Sequence, residues 1–319
     1  MPRIYTLIVS FCLLFSVNAY SWDLGKEGNF KFEKVNQNIY VMHGPLSEPN
    51  AANHGFMNNP GFIISDNGLI VIDPGSSYTV GNEVLNEIGK VTNKPILAVF
   101  NTHIHGDHWL ANQAIQKKYP SVKIYGHPEM IRQANGEQGV IWVDLMHRLT
   151  AGLTAGTKVV APKFAVNQGQ QIIVDGQHFR IHSMIPSHTN TDIMIEHIES
   201  KTLFMGDNSL YQRMGRFDNS SSMIGNIKIL EYATNLNLTT YVPGHGHTGS
   251  SATAIKPFLD YLKKVKAVVQ TGFDDGLQGY EIKEKVIQQF SGYQSWAGFD
   301  TNFGRNINKM FLETEEAAW

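Results

Sequence analysis

The run His103-Ile104-His105-Gly106-Asp107-His108 puts four metal-ready side chains into six positions. Neutral imidazole and carboxylate are preferred ligands for zinc and its transition-series neighbours. The run follows the apolar stretch Ile96-Leu97-Ala98-Val99-Phe100, which reads as a buried strand. On extended chain, side chains at i and i+2 point the same way, so His103 and His105 should converge. A turn at Gly106 would then bring Asp107 and His108 back to the same space. Such a run can hold one metal ion and begin a second site.

Four further segments end an apolar stretch with His or Asp beside Gly or Pro. They are Ile70-Val71-Ile72-Asp73-Pro74-Gly75, Ile185-Pro186-Ser187-His188, Leu203-Phe204-Met205-Gly206-Asp207 and Tyr241-Val242-Pro243-Gly244-His245. Reactive groups gather at such places because the strand is rigid and the loop beyond it is open. Gly-x-Ser-x-Gly is absent, which argues against a serine-hydrolase elbow. Gly244-His245-Gly246-His247-Thr248-Gly249 fits Gly-x-Gly-x-x-Gly, but only helical sequence follows it, so it lacks the βαβ context of a dinucleotide site.

The elements that must position these residues alternate between strands and helices. Hairpins are expected around Asn36-Gln37-Asn38, Asp66-Asn67-Gly68 and Asp175-Gly176, with a strand pair around Glu199-Ser200. Helices are expected over 80–91, 110–118 and 224–235, and again over 255–270, 282–290 and 306–315. This is an α/β chain with antiparallel content, and no solenoid repeat interrupts it. The stretch 43–60, rich in Asn, Pro and Gly, is expected to form a lip over a site. A second lip is expected in 130–159, the least readable region.

Composition sets the class. The chain has 319 residues, 17% charged and 42% hydrophobic, with a formal charge of −2, as in an ordinary globular protein with no nucleic-acid-binding excess. Residues 1–19 read as a secretory signal: Arg3, an apolar run from Ile4 to Val17, and small residues before a cut after Ala19. That run is short for a membrane span of about 20 residues, so cleavage would leave no stable anchor. The only cysteine, Cys12, lies within it, so the exported part would have no disulfide, Cys metal site or Cys nucleophile. A periplasmic or secreted location follows as an expectation.

The ordered set Asp73, His103-x-His105-x-Asp107-His108, His188, Asp207 and His245 resembles the metallo-β-lactamase-fold hydrolase superfamily across nearly all of the chain up to about Ser251. The resemblance implies an αββα sandwich over 20–251, with 252–319 as a C-terminal helical extension. It implies two Zn2+ ions, or other divalent metals such as Fe or Mn, at one rim. By position, His103, His105 and His188 would bind the first metal and Asp107, His108 and His245 the second. Asp207 would bridge the two, and Asp73 would hold the ligand loop from behind. Two such cations, about 3.5–4 Å apart, lower the pKa of a water between them and so supply hydroxide for hydrolysis. Asp107 would orient it and pass on its proton.

The substrate expected is a small ester, thioester or lactone. A β-lactamase is the first alternative, although Asp207 stands where the Cys-containing β-lactamases of the superfamily carry Cys. A mononuclear iron oxygenase acting on a persulfide is another, and would need only the first trio. A metal-dependent accessory protein without turnover is a third. Arg213 or Arg216 could grip an anion, though a solvated loop is the expected setting for both. Trp109 is expected in the core, Lys263, Lys264 and Lys266 on a solvated helix face, and the eight histidines outside the set away from the metals.

Overall fold

The computed structural model describes residues 28–318; the expected signal segment 1–19, with Cys12, lies outside the described residues. Two sheets face one another. The first has seven strands in sequential order: β1 (Glu33–Asn36), β2 (Ile39–Val41), β3 (Gly61–Ile64), β4 (Leu69–Ile72), β5 (Ile96–Phe100), β6 (Lys123–Gly126) and β7 (Phe164–Ala165). Its first four strands pair antiparallel and the rest parallel. The second has five: β8 (Gln171–Val174), β9 (Gln177–His182), β10 (Met194–His197), β11 (Thr202–Leu210) and β12 (Thr240–His245), with only β11 and β12 parallel.

Each expected hairpin forms, for identifiable reasons. At Asp175-Gly176 both residues have positive φ (48° and 77°), which suits the twist of a two-residue hairpin turn. At the β3–β4 turn, Ser65 N and Oγ both donate to Gly68 O, at 2.9 and 2.8 Å. The two turns are joined, since Asn67 N and Nδ2 donate to the Asp175 carboxylate at 2.6 and 2.8 Å.

Helix α1 (Tyr78–Val91) starts at the Ser77 cap, whose side chain accepts from Val80 N at 3.1 Å. It packs on the outer face of the first sheet with α3 (Asn112–Lys118), which follows the short turn α2 (Gly106–Trp109). Segment 130–159 is mostly helix, in α4 (Pro128–Ala134) and α5 (Glu137–Leu149), where a lip was expected. Its apolar residues are too scattered to mark a buried face, and only Gly139 and Met146 of α5 are buried. Strand β6 gave no sequence signal, because four residues beside a loop acquire strand character only by pairing with β5.

Between the sheets, Ile39, Ile63, Ile72, Phe100, Phe179, Ile195 and Phe204 form a closed apolar layer. On the far side of the second sheet lies α6 (Met223–Asn235), capped by Ser222, together with α7 (Lys256–Asp274), α8 (Gly279–Val286) and α9 (Phe299–Ala318). These C-terminal helices share one apolar cluster with β11 and β12, through Phe258, Leu262, Phe303 and Ile307 against Leu203, Met205 and Tyr241. The Lys263 side chain is half exposed on α7 and pairs with Glu231. No helix of the described residues is long and apolar enough to cross a membrane.

Phe179 is fully buried, 5.2 Å ring to ring from Phe100. Phe179→Ala is expected to destabilise the fold by about 3–5 kcal/mol. Urea unfolding followed by circular dichroism would measure this; an unchanged midpoint would contradict a closed inter-sheet layer.

Candidate metal centre

The rim of the sandwich where β4, β5 and β12 end collects every residue of the sequence set. His105 has extended backbone (φ −64°, ψ 132°) and precedes α2, so the chain runs straight through His103 and His105 and then turns. Trp109 Nε1 donates to Ile104 O at 2.7 Å and closes that turn; the indole is fully buried, as expected of a core aromatic. One group of ligand-type atoms joins His103, His105, His188 and Asp207, and another joins Asp107, His108 and His245. None of the other eight histidines belongs to either group among the described residues.

Asp207 faces both groups with different oxygens. Its Oδ2 lies 3.4 Å from His188 Nε2 and 4.0 Å from His103 Nε2. Its Oδ1 lies 3.1 Å from His108 Nε2 and 3.4 Å from His245 Nε2. Asp107 Oδ2 is 3.3 Å from His108 Nε2 and 3.2 Å from His245 Nε2. Ligands about 2.0–2.1 Å from a tetrahedral zinc lie about 3.3 Å from one another, so most of these spacings suit shared cations. His103 Nε2, His108 Nε2 and Asp207 Oδ1 are buried without a hydrogen-bond partner. Buried polar atoms are seldom left so, and these fit a divalent ion.

Backbone freedom makes the approach possible. Asp207 lies inside β11 instead of following it, because the strand bulges at Gly206, where φ is +52°. A Cβ there would meet Thr102 at 2.7 Å, and one on Gly244 would meet Asp207 Oδ1 at 2.0 Å. Only glycine lets β11 and β12 bring their ligands this close.

Charge favours the ligating states of the first three rings and of both carboxylates, while with no cation bound the carboxylates draw a proton onto His108 and His245. Burial pushes His103 well below the usual imidazole range, lowers His105 and takes His188 down to about 3, so these rings are neutral. Burial opposes ionisation of Asp107 and Asp207, but His108 and His245 outweigh it and hold both carboxyls well below their usual range. Burial likewise opposes charge on His108, yet Asp107, Asp207 and Asp73 raise it well above the usual value. Positive charge is therefore stabilised where the second group converges. Metal binding draws on neutral imidazole and ionised carboxylate.

A surrounding shell fixes which ring nitrogen faces inward. Asp73, at φ +48°, accepts from Thr102 N at 2.8 Å and Thr102 Oγ1 at 2.6 Å, and its Oδ2 lies 2.7 Å from His108 Nδ1. Thr102 Oγ1 spends its proton on Asp73, so it accepts from His103 Nδ1 at 2.9 Å. His245 Nδ1 donates to Met57 O at 2.8 Å. Nε2 of all three rings is thereby left for a metal. Asn58 Nδ2 donates to Asp73 O at 2.8 Å, and Asn59 Nδ2 to Pro243 O and Gly246 O at 2.9 and 2.6 Å. Asp192 holds the His188 loop by accepting from Thr189 N and Ser187 Oγ at 2.6 and 2.7 Å; burial pushes its carboxyl up to about 7 against those bonds.

Sequence reasoning placed Asp73 in this shell and missed Thr102, Met57, Asn58, Asn59 and Asp192. The pair Asn58-Asn59 before Pro60 was the one available signal. It shows that Phe56–Pro60 of the expected lip is a buried brace. A second expectation is corrected at Arg213, which is buried instead of solvated. Its Nη1 donates to Leu46 O and Ser47 O, and its Nη2 to Glu48 Oε1 at 3.0 Å. Arg216 is exposed. Both arginines line a narrow cavity of about 60 Å³ over the ligands, with Met57, Leu145, Leu149 and Met214.

A two-sheet sandwich with these seven side chains at one rim defines a metal-binding α/β fold of two facing sheets. Residues 55–245 match the model of the metallo-beta-lactamase superfamily, and the chain belongs to that superfamily. A probable metallo-hydrolase of Methanocaldococcus jannaschii is 27% identical over 202 residues, covering 61% of this chain and 91% of the relative. A hydroxyacylglutathione hydrolase of Trichormus variabilis is 32% identical over 80 residues, 24% of this chain and 29% of the relative. Among solved structures, the inverting sec-alkylsulfatase of a Pseudomonas species superposes with a TM-score of 0.70 at 17% identity. It covers 89% of this chain, which spans half of the alkylsulfatase. A metallo-beta-lactamase from Pontibacter korlensis has a TM-score of 0.58 at 15% identity over 73% of this chain and 99% of that one. These structural likenesses establish the fold.

Asp73→Ala is expected to weaken metal binding about 10–100-fold, read by titration against a chelator. Unchanged affinity would remove Asp73 from the shell. Gly244→Ala should displace Asp207 and lower metal content per folded chain, measured by elemental analysis; full occupancy would contradict the close approach.

Proposed function

We propose that the protein is an exported, two-metal hydrolase that cleaves a small ester, thioester or lactone, with zinc as its metal. One observation carries the reading: Asp207 turns one oxygen toward each ligand group. The intact second group, Asp107, His108 and His245, favours two ions over the single iron of a persulfide oxygenase. Export and a periplasmic or secreted location rest on the pattern of residues 1–19.

Paired divalent cations, when bound, would supply Lewis acidity and an acidified water. His103, His105 and His188 would hold one cation as neutral ligands. Asp107, His108 and His245 would hold the other, with Asp207 shared. Asp107, kept ionised by His108 and His245, is the residue to orient the attacking water and accept its proton. Met57, Leu145, Leu149 and Met214 give the cavity over the ligands an apolar side. The relatives described as hydroxyacylglutathione hydrolases support the thioester arm. A second reading, hydrolysis of a sulfate ester, is favoured by the likeness to alkylsulfatases in both sequence and fold.

Purified protein is expected to hold close to two divalent ions per chain by elemental analysis, and Asp107→Ala to lose turnover while staying folded. One iron per chain would point to the oxygenase, and an active Asp107→Ala would sink the mechanism. A panel of a thioester, a lactone, an alkyl sulfate and a cephalosporin would separate the substrate classes; turnover of the cephalosporin alone would make it a β-lactamase.

A further inference from the structure

Two spaces open off the metal centre, and α5 divides them. The narrow cavity over the ligands has the apolar walls described above. A groove of about 720 Å³ lies beyond His105 and Trp142, which line both spaces. The Trp142 and His105 rings are 4.9 Å apart and tilted by 52°. The groove has different walls: Gln133 from α4, Glu137 and Gln138 from the start of α5, and Asp218 and Asn219 from the opposite bank. Its volume suits a sizeable ligand group. Gln138 and Asn219 are exposed, with side-chain amides that make no hydrogen bond among the described residues.

The charged groups of the two spaces are arranged differently. Glu137 and Asp218 border the groove, and its guanidinium, Arg132, is already forked onto Glu129. The groove therefore presents negative charge. In the cavity Arg213 is paired with Glu48, while Arg216 has no carboxylate partner among the described residues. A substrate crossing Trp142 therefore meets the metal ligands and apolar walls on one side and the carboxylates of the groove on the other.

We propose that the substrate is two-ended, with a small apolar acyl group over the metals and a bulky polar group, neutral or cationic, in the groove. The inference rests on the ester or thioester reading. Water adds to the acyl carbon and the bond to oxygen or sulfur breaks. The acyl part leaves as a carboxylate and the polar part as an alcohol or thiol, with one proton released. Glu137 and Gln138 are then specificity residues that touch the leaving group and not the reacting atoms.

The test uses metal-loaded protein and four thioesters with the same butyryl group, followed by thiol release. N-acetylcysteamine is small and neutral, pantetheine bulky and neutral, thiocholine cationic, and glutathione bulky and anionic. The pantetheine and thiocholine esters are expected to exceed the glutathione ester in kcat/KM. Glu137→Lys, and independently Gln138→Lys, should raise kcat/KM for the glutathione ester roughly three- to tenfold at low salt, with the gain shrinking as salt is added. In each variant the change for the small, neutral N-acetylcysteamine ester should be several-fold smaller than the change for the glutathione ester. Turnover of that small ester with no response to leaving-group charge in either variant would overturn the two-ended substrate and leave the hydrolase standing. Failure to cleave any thioester or oxygen ester would overturn both.

Discussion

Two carboxylates held charged inside the protein set the conditions for everything around them. Asp107 and Asp207 are buried, and an unpaired buried ion costs several kcal/mol. His108 and His245 offset that cost, as would the cations the site suits, but only where each donor is held in place. An unbraced loop could not keep seven side chains converged, so the ligands lie just past a strand end, in the short helix α2, within strands β11 and β12, or, for His188, on a loop that Asp192 holds. The packed inter-sheet layer is thus a functional feature: it keeps the two halves of the site from drifting apart.

Neither sheet has a complete site. The first brings Asp73 and the His103–His108 run, while the second brings Asp207 and His245 on strands and His188 on a loop. Asparagines join the halves. Asn59 reaches from the loop before β3 to the β12 backbone, and Asn36 Nδ2 donates to Ser200 O and Thr202 Oγ1 at 2.9 and 3.0 Å. The Asn67–Asp175 bonds tie the hairpin turns. An amide offers both donor and acceptor without charge. Asn59 can therefore stitch backbone at the charged rim without competing for the metals, while Asn36 and Asn67 tie the sheets at the opposite end of the strands.

What the sequence disclosed follows from how locally each feature is encoded. Strand-ending His and Asp beside Gly or Pro are local signals, and all seven ligand candidates and Asp73 were legible from them. The hairpin turns were legible for the same reason. Thr102, Met57 and Asp192 were not: a threonine hydroxyl or a main-chain carbonyl looks the same in sequence whether or not it faces a ligand ring. Arg213 was misread because its partners, Leu46, Ser47 and Glu48, lie about 165 residues away. Segment 130–159 lacked a clear period because α5 faces a cavity on one side and solvent on the other, so burial imposes little apolar regularity.

The same reasoning explains why chemistry is easier to read here than substrate. The ligands answer to one demand, the cation, and that demand restricts them to a few residue types. The walls of the cavity answer to several segments at once. Met214 N donates to Ala297 O and Ala297 N to Gln212 O, at 2.9 and 3.0 Å, so the C-terminal extension steadies the segment that carries Arg213 and Arg216. Arg213 passes that support to the 46–48 loop, and α5 closes the opposite side. Three stretches far apart in sequence therefore shape one opening. A change in any of them can alter what enters while the metal centre beneath stays the same.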